Sequence, residues 1–172
     1  MKQEPTMELL LPLSADRFSE NKGDQETNPK KLWDYIYEPE AKSVIDYLHG
    51  KNIKTILLSG DRSEKCNLLA SQLGIDTVIA EQTPEQKLAM IDELNKKIPT
   101  AMIGDGINDA PALAKATIGI SMNDASEIAV QSAQVVLMNH GLKNLPTALG
   151  LGKHTYITIK QNLFWAFSYN IV

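Results

Sequence analysis

The sequence predicts an α/β fold, a Rossmann-like and mostly parallel sheet with helices on both faces, followed by a C-terminal helix. Two observations carry this expectation. Short apolar runs of strand length alternate with segments of helical spacing from Pro39 to Leu137, the pattern of crossover units rather than of hairpins. The run Lys54-Thr-Ile-Leu-Leu-Ser59 is continuous rather than alternating, as in a strand covered on both faces. In such a sheet the carboxyl ends of the strands carry the function.

The 172 residues suffice for one medium domain, and 43% apolar with 22% charged residues is an ordinary globular balance. The formal charge of -4, with Lys and Arg scattered, lacks the basic excess that phosphate-backbone binding needs, so nucleic acid is not an expected partner. The single cysteine, Cys66, cannot form an internal disulfide, which fits a reducing, cytosolic setting. It reads as a small buried or half-buried residue, with no second Cys or nearby His to form a metal-ligand pair. Met1-Lys-Gln-Glu-Pro-Thr6 opens with charge and does not read as a secretory signal.

Along the chain, residues 1–38 form an irregular N-terminal segment whose apolar patch Met7-Glu-Leu-Leu-Leu-Pro-Leu13 reads as a strand. The polar stretch Ser14 to Lys31 reads as loop. Residues 39–143 form the core domain. From Pro39 to His49, Ala41, Val44, Ile45 and Leu48 follow helical spacing, and Gly50 is expected to supply a left-handed stop. The strand Lys54–Ser59 ends in Gly60-Asp61. Glu64–Leu73 reads as a helix closed by Gly74, and Thr77–Ala80 as a short strand. Thr83-Pro-Glu-Gln86 holds a capping hydroxyl, a proline at the first helical position and a Gln able to complete a capping box. That helix should run to about Lys97. Further strands are expected at Thr100–Ile103, Ile118–Ser121 and Gln134–Leu137, with helices at Ala110–Lys115 and Ser126–Gln131. Residues 144–172 read as one long segment, apolar from Asn162 to Val172. An amphipathic helix packed on the domain would have that pattern, and so would the start of a membrane helix. The apolar run itself is shorter than the roughly 20 residues that a crossing takes.

The chemistry gathers at strand ends. Gly104-Asp-Gly-Ile-Asn-Asp109 follows a strand, and its glycines let backbone and ligand approach while Asp105 and Asp109 converge. Paired carboxylates suit magnesium, which takes hard oxygen ligands and shares them with phosphate. A lone Asp-Gly would be an ordinary turn, but a turn leaves the second Asp, Asn108 and the Ala-Pro helix start unexplained. Ser59-Gly60-Asp61 offers a hydroxyl and backbone amides to a phosphate, although alone it is common loop chemistry. Lys87 could neutralise phosphate from the side or stand as a solvated helix lysine.

Together Leu58-Ser-Gly-Asp61, Pro84-Glu-Gln-Lys87 and Gly104-Asp-Gly-Ile-Asn-Asp-Ala-Pro-Ala-Leu113 resemble three motifs of the haloacid dehalogenase superfamily. At closer range they resemble the phosphorylation domain of P-type cation-transporting ATPases. The resemblance covers about Glu40 to Val172, and serine replaces the usual threonine at Ser59. It implies that Asp105 is a magnesium ligand and that Asn108 and Asp109 steady the phosphoryl group and the metal. It further implies that Ser59 binds phosphate, Lys87 neutralises it, and Gly60 and Asp61 serve the hinge and nucleotide side. The implied cofactors are magnesium and, in an intact pump, ATP.

The family's phosphate-accepting motif, Asp-Lys-Thr-Gly-Thr, occurs nowhere in the chain. By the same resemblance its strand would be central, between those ending at Ser59 and Gly104. Met7–Leu13 is expected to occupy or cover that place, because an uncovered row of strand amides is costly. Near Asp34-Tyr-Ile-Tyr-Glu-Pro-Glu40 the family tends to place an arginine, where Tyr37 and Glu38 stand here. At the other end, Lys160-Gln-Asn-Leu-Phe-Trp-Ala-Phe-Ser-Tyr-Asn170 resembles the start of the membrane helix in heavy-metal pumps. Tyr169-Asn170 matches the pair of the copper branch, which implies contact with transported copper. The expectation is part of an ATP-driven heavy-metal, copper-type transporter, a membrane protein with this domain cytoplasmic, inactive as this chain alone. The alternatives are a self-standing magnesium-dependent phosphatase, for which residues 1–50 hold no Asp-x-Asp, and a non-catalytic regulatory or metal-binding derivative.

Overall fold

The computed structural model describes residues 7–13, 39–104, 107–122, 125–138 and 141–171. The expected strand at the start of the chain forms as β1 (Glu8–Leu13), followed by helix α1 (Pro39–His49) and strand β2 (Lys54–Ser59). Then come α2 (Ser63–Leu73), β3 (Thr77–Ile79), α3 (Pro84–Asn95) and β4 (Thr100–Gly104). A 3-10 turn at Ile107–Asp109 leads into α4 (Ala110–Lys115), β5 (Ile118–Met122), α5 (Glu127–Ser132) and β6 (Val135–Leu137), and the chain continues into the long helix α6 (Leu145–Ile171).

The strands form one sheet in the order β3-β2-β1-β4-β5-β6, and every pairing is parallel. Consecutive side chains on a strand point to opposite faces, and the core divides accordingly. Leu9, Leu57, Ala101, Ile103, Ile120 and Met122 pack with α1 and α2 on one face. Ile56, Leu58 and Met102 pack with Ile91, Leu113 and Ala129 of α3, α4 and α5 on the other. The continuous apolar strand run is thereby explained, since both of its faces are covered.

Local signals held at most boundaries. The Thr83 hydroxyl accepts from the Gln86 amide at 3.3 Å and the Gln86 side chain accepts from the Thr83 amide at 2.8 Å, the reciprocal capping box expected from the sequence. Gly74 ends α2 at φ 77°, a conformation that a side chain would strain. The left-handed stop expected at Gly50 is instead at Asn52, φ 57°. The chain makes one more turn after α1, and the Ile53 amide reaches back to the Leu48 carbonyl at 3.0 Å. That closure needs its left-handed residue at position 52, where Asn is the tolerated substitute for glycine.

β1 occupies the middle of the sheet, as expected, but its two sides differ. Against β2 it pairs from Glu8 opposite Lys54 to Leu13 opposite Ser59. Against β4 it pairs only from Glu8 opposite Thr100 to Leu10 opposite Met102. The Lys54 amide donates to the Met7 carbonyl, so odd positions of β1 bond to β2 and even ones face β4. Pro12 falls on the β4 side and has no amide hydrogen to give. The ladder stops where that donor would be needed.

At the opposite, amino-terminal edge, one carboxylate ties three elements. Asp76 Oδ2 accepts from the Thr55 amide at 2.8 Å and the Thr55 hydroxyl at 2.9 Å, and lies 3.1 Å from His49 Nε2. Burial pushes this carboxyl up, but the Thr55 and His49 contacts outweigh it and leave Asp76 below its ordinary value.

The 3-10 turn Gly141–Asn144 and the first turns of helix α6 belong to the domain. Leu142 and Leu145 are buried, Ala148 and Leu149 pack on the core, and Lys143 pairs with Glu40 of α1 at 2.5 Å. From Leu151 onward its large apolar side chains are exposed, Trp165 and Tyr169 among them. The packed amphipathic helix therefore describes only its first turns. Among the described residues no helix is long and apolar enough to cross a membrane.

Candidate functional site

The strand order reverses direction between β1 and β4, and in an open parallel sheet the crevice at such a switch point, on the carboxyl side, is where ligands bind. Here the early end of the β1–β4 ladder leaves the crevice unzipped. β2 and β4 flank β1, which sets Ser59 and Gly104 about 10 Å apart at that edge, two strand spacings.

Lys87, in the first turn of α3, reaches this edge from the side. Its Nζ donates to Asp109 Oδ1 at 3.1 Å, and both side chains are buried, at 4% and 0% exposure. The solvated-lysine reading is overturned. Asp109 closes the 3-10 turn after β4, and its fit depends on Gly104, where an added Cβ would lie 3.1 Å from the Asp109 Cβ and 3.2 Å from Leu113 Cδ1. Asn108 beside it faces solvent. Asp105 and Gly106, expected at the heart of the loop, lie outside the described residues, as do Tyr37 and Glu38. Among the described residues no group of three His, Cys, Asp or Glu side chains gathers around a metal-sized space. A buried carboxylate beside a lysine, at a strand end made narrow by glycine, is nevertheless donor chemistry that suits a hard cation shared with phosphate.

Ser59 is fully buried at the end of β2. Its hydroxyl accepts from the Asp61 amide at 3.0 Å and lies 3.4 Å from Asp61 Oδ2. The turn after β2 is bonded to the turn before α3. The Gln82 amide donates to the Ser59 carbonyl at 2.9 Å and the Glu81 amide to the Asp61 carbonyl at 3.0 Å. Gly60 lets the two turns approach closely, since a Cβ there would stand 3.2 Å from the Gln82 carbonyl oxygen. Cys66 lies underneath, its thiol donating to the Asp61 carbonyl at 3.9 Å. Burial pushes that thiol up and Asp61 adds to the rise, against a hydrogen bond with Ser59.

The structure thus brings Ser59, Gly60, Asp61, Lys87 and Asp109 to one edge. Tyr169 and Asn170 sit near the far end of α6, where Tyr169 is 87% exposed and the Asn170 side-chain Nδ2 donates to the Ala166 carbonyl at 2.8 Å. Glu81 and Gln82 were not singled out by sequence. The one local irregularity, a left-handed backbone at Glu81 with φ 58°, carries no mark in residue type.

This arrangement is that of a haloacid dehalogenase-like hydrolase, and the chain belongs to that family: the family's model matches residues 15–117. Within the family the likeness is to heavy-metal P-type ATPases. The chain is 46% identical over 134 residues to a copper-exporting P-type ATPase of Staphylococcus aureus strain MRSA252, covering 76% of this chain and 16% of that protein. It therefore spans about a sixth of that relative's length. The crystal structure of a zinc-transporting PIB-type ATPase superposes with a TM-score of 0.70 at 34% identity, over 73% of this chain and 21% of that one. The 3-deoxy-D-manno-octulosonate 8-phosphate phosphatase of Moraxella catarrhalis shares the fold, with a TM-score of 0.55 at 21% identity over 76% of this chain and 75% of the phosphatase.

Proposed function

We propose that this chain supplies the magnesium- and phosphate-binding half of the phosphorylation site of an ATP-driven heavy-metal transporter, with copper as the transported ion. The observation that carries the reading is the buried Lys87–Asp109 ion pair, standing at the carboxyl edge of the sheet across β1 from Ser59. Ser59 holds phosphate through its hydroxyl, and Lys87 offsets phosphate charge. Asn108 and Asp109 orient the phosphoryl group and its metal, Asp105 ligates magnesium, and Gly60 and Asp61 form the nucleotide-side turn. Magnesium, when bound, would neutralise charge on the phosphoryl oxygens.

The same reading takes residues 39–143, completed by β1, as the phosphorylation-domain core. Residues 144–172 are taken as the start of a helix that continues toward the membrane, where Tyr169 and Asn170 meet the transported metal. The copper preference draws on the staphylococcal relative's name and on Tyr169-Asn170. In the whole protein this domain would face the cytoplasm and draw on ATP.

The chain alone is expected to be silent. β1, the strand at the acceptor's place, ends with Leu13 opposite Ser59, and a leucine cannot take a phosphoryl group. Incubation with labelled ATP and magnesium should give no acid-stable, hydroxylamine-sensitive phosphoprotein, and a clear labelled band would overturn this. Magnesium-dependent binding of inorganic phosphate should be measurable by calorimetry and weaken about tenfold in Ser59→Ala, the loss of one hydrogen bond to a charged group. Turnover of a generic phosphate ester would favour a self-standing phosphatase instead.

A further inference from the structure

Glu81 lies outside every motif, yet two contacts and an unusual backbone conformation meet at it. Its amide donates to the Asp61 carbonyl at 3.0 Å, and its carboxylate Oε1 accepts from the Ser63 amide at 3.3 Å. Its backbone holds φ 58°, a conformation uncommon for a residue with a side chain and one that tends to cluster where geometry is functionally constrained. The Ser63 contact matters because Arg62, the residue preceding α2, gives no side-chain cap to that helix. A helix start has amides without partners inside the helix and favours a negative charge, and Glu81 supplies both acceptor and charge from another element. Beyond Glu81, the Gln82 amide holds the Ser59 carbonyl, Thr83 caps α3, and α3 carries Lys87 to Asp109. An unbroken run of bonds thus joins the Ser59 turn to the Lys87 helix, with Glu81 at its crossing point.

We propose that Glu81 is the positioning residue of this site, a clasp that holds the Ser59-Gly60-Asp61 turn and the start of α2 against the segment leading to Lys87. Glu81 touches no reacting group. It fixes the distance across which Ser59 and Lys87 would share a phosphate, and only that last step rests on the function proposed above.

The single cysteine provides the test on the full-length chain. Cys66 is fully buried and bonded to the Asp61 carbonyl, so its modification by a thiol reagent under native conditions reports opening of this turn. Glu81→Ala should raise the labelling rate about tenfold, the scale of one lost charged hydrogen bond. Glu81→Gln keeps the acceptor oxygen but not the charge and should raise the rate about threefold, less than Glu81→Ala. Glu81→Gly relieves the backbone but removes the acceptor, so it should behave like Glu81→Ala. Leu113→Ala, on the other face of the sheet, serves as a control lowering overall stability. A parental rate in Glu81→Ala, or a rise no larger than Leu113→Ala gives at equal loss of stability, overturns the clasp. Magnesium chloride with inorganic phosphate should slow labelling of the parent and of Glu81→Gln, and not of Glu81→Ala. Should the ions leave the parent unprotected while Glu81→Ala still labels faster, the clasp stands and the phosphate-site reading fails.

Discussion

Lys87 and Asp109 illustrate how a residue's meaning depends on what surrounds it. A lysine in the first turn of a helix is ordinarily solvated, and Lys87 is recognisable in sequence only through its place after Pro84. Folding buries it to 4% exposure against a fully buried carboxylate. Two charges withdrawn from water recover much of their desolvation cost through each other, so removing one takes away the buried counter-charge of the other. Lys87→Met should therefore lower unfolding free energy by about 3 to 5 kcal/mol in urea titrations. Adding Asp109→Leu should restore much of the loss, since an apolar pair of similar volume leaves no charge behind. A single variant within about 0.5 kcal/mol of the parent, the range of an ordinary surface change, would mean that the pair is solvated after all.

At the scale of the element, β1 is the informative piece. Its six residues place a strand where the family's acceptor strand is expected, and its sequence is apolar enough to be buried there. Its weakness is Pro12, which ends pairing with β4 while pairing with β2 continues to Leu13. Pro12→Val would restore an amide facing β4. The new hydrogen bond is worth about 1 kcal/mol, and loss of proline's restraint on the unfolded chain returns about 0.4 to 1 kcal/mol. Global stability should hardly move. Hydrogen exchange is the discriminating measurement: the amide at position 12 should exchange as slowly as its neighbours in the ladder, and fast exchange there would show that something other than the missing Pro12 amide ends the β1–β4 pairing at Leu10.

For the whole molecule, the division that matters runs through α6. Its first turns pack on the core, while the side chains from Leu151 to Asn170 are exposed apart from Ser168, which is half-buried. Leu163, Phe164, Trp165 and Phe167 form an aromatic and aliphatic tip with Lys153 and Lys160 behind it and no acidic residue along the helix. Exposed apolar surface of this kind calls for a partner, and a bilayer interface suits aromatic rings ahead of lysines. A chain ending at residue 150 should keep the thermal midpoint of the full chain to within about 2 °C, because the removed residues bury little. In flotation with vesicles containing anionic lipid, the full chain should rise with the lipid and the shortened one should stay below. Equal behaviour of the two would remove α6 from any membrane role.

The sequence by itself determined the alternation of strands and helices, the capping box at Thr83, the stop at Gly74 and the three motifs, two at strand ends and one at the start of α3. Each of these is written in residue types within a few positions of one another, where periodicity and local hydrogen bonding decide. Through the family resemblance it also led to the expectation that Met7–Leu13 would occupy or cover the place between the strands ending at Ser59 and Gly104, where β1 stands. Tertiary structure decided the rest. It buried Lys87 against Asp109, truncated the β1–β4 ladder at Pro12 and set Glu81 across two turns. Those outcomes depend on groups brought close from 18 to over 90 positions apart, or on which side of a strand a missing amide falls, and spacing along the chain carries no record of either.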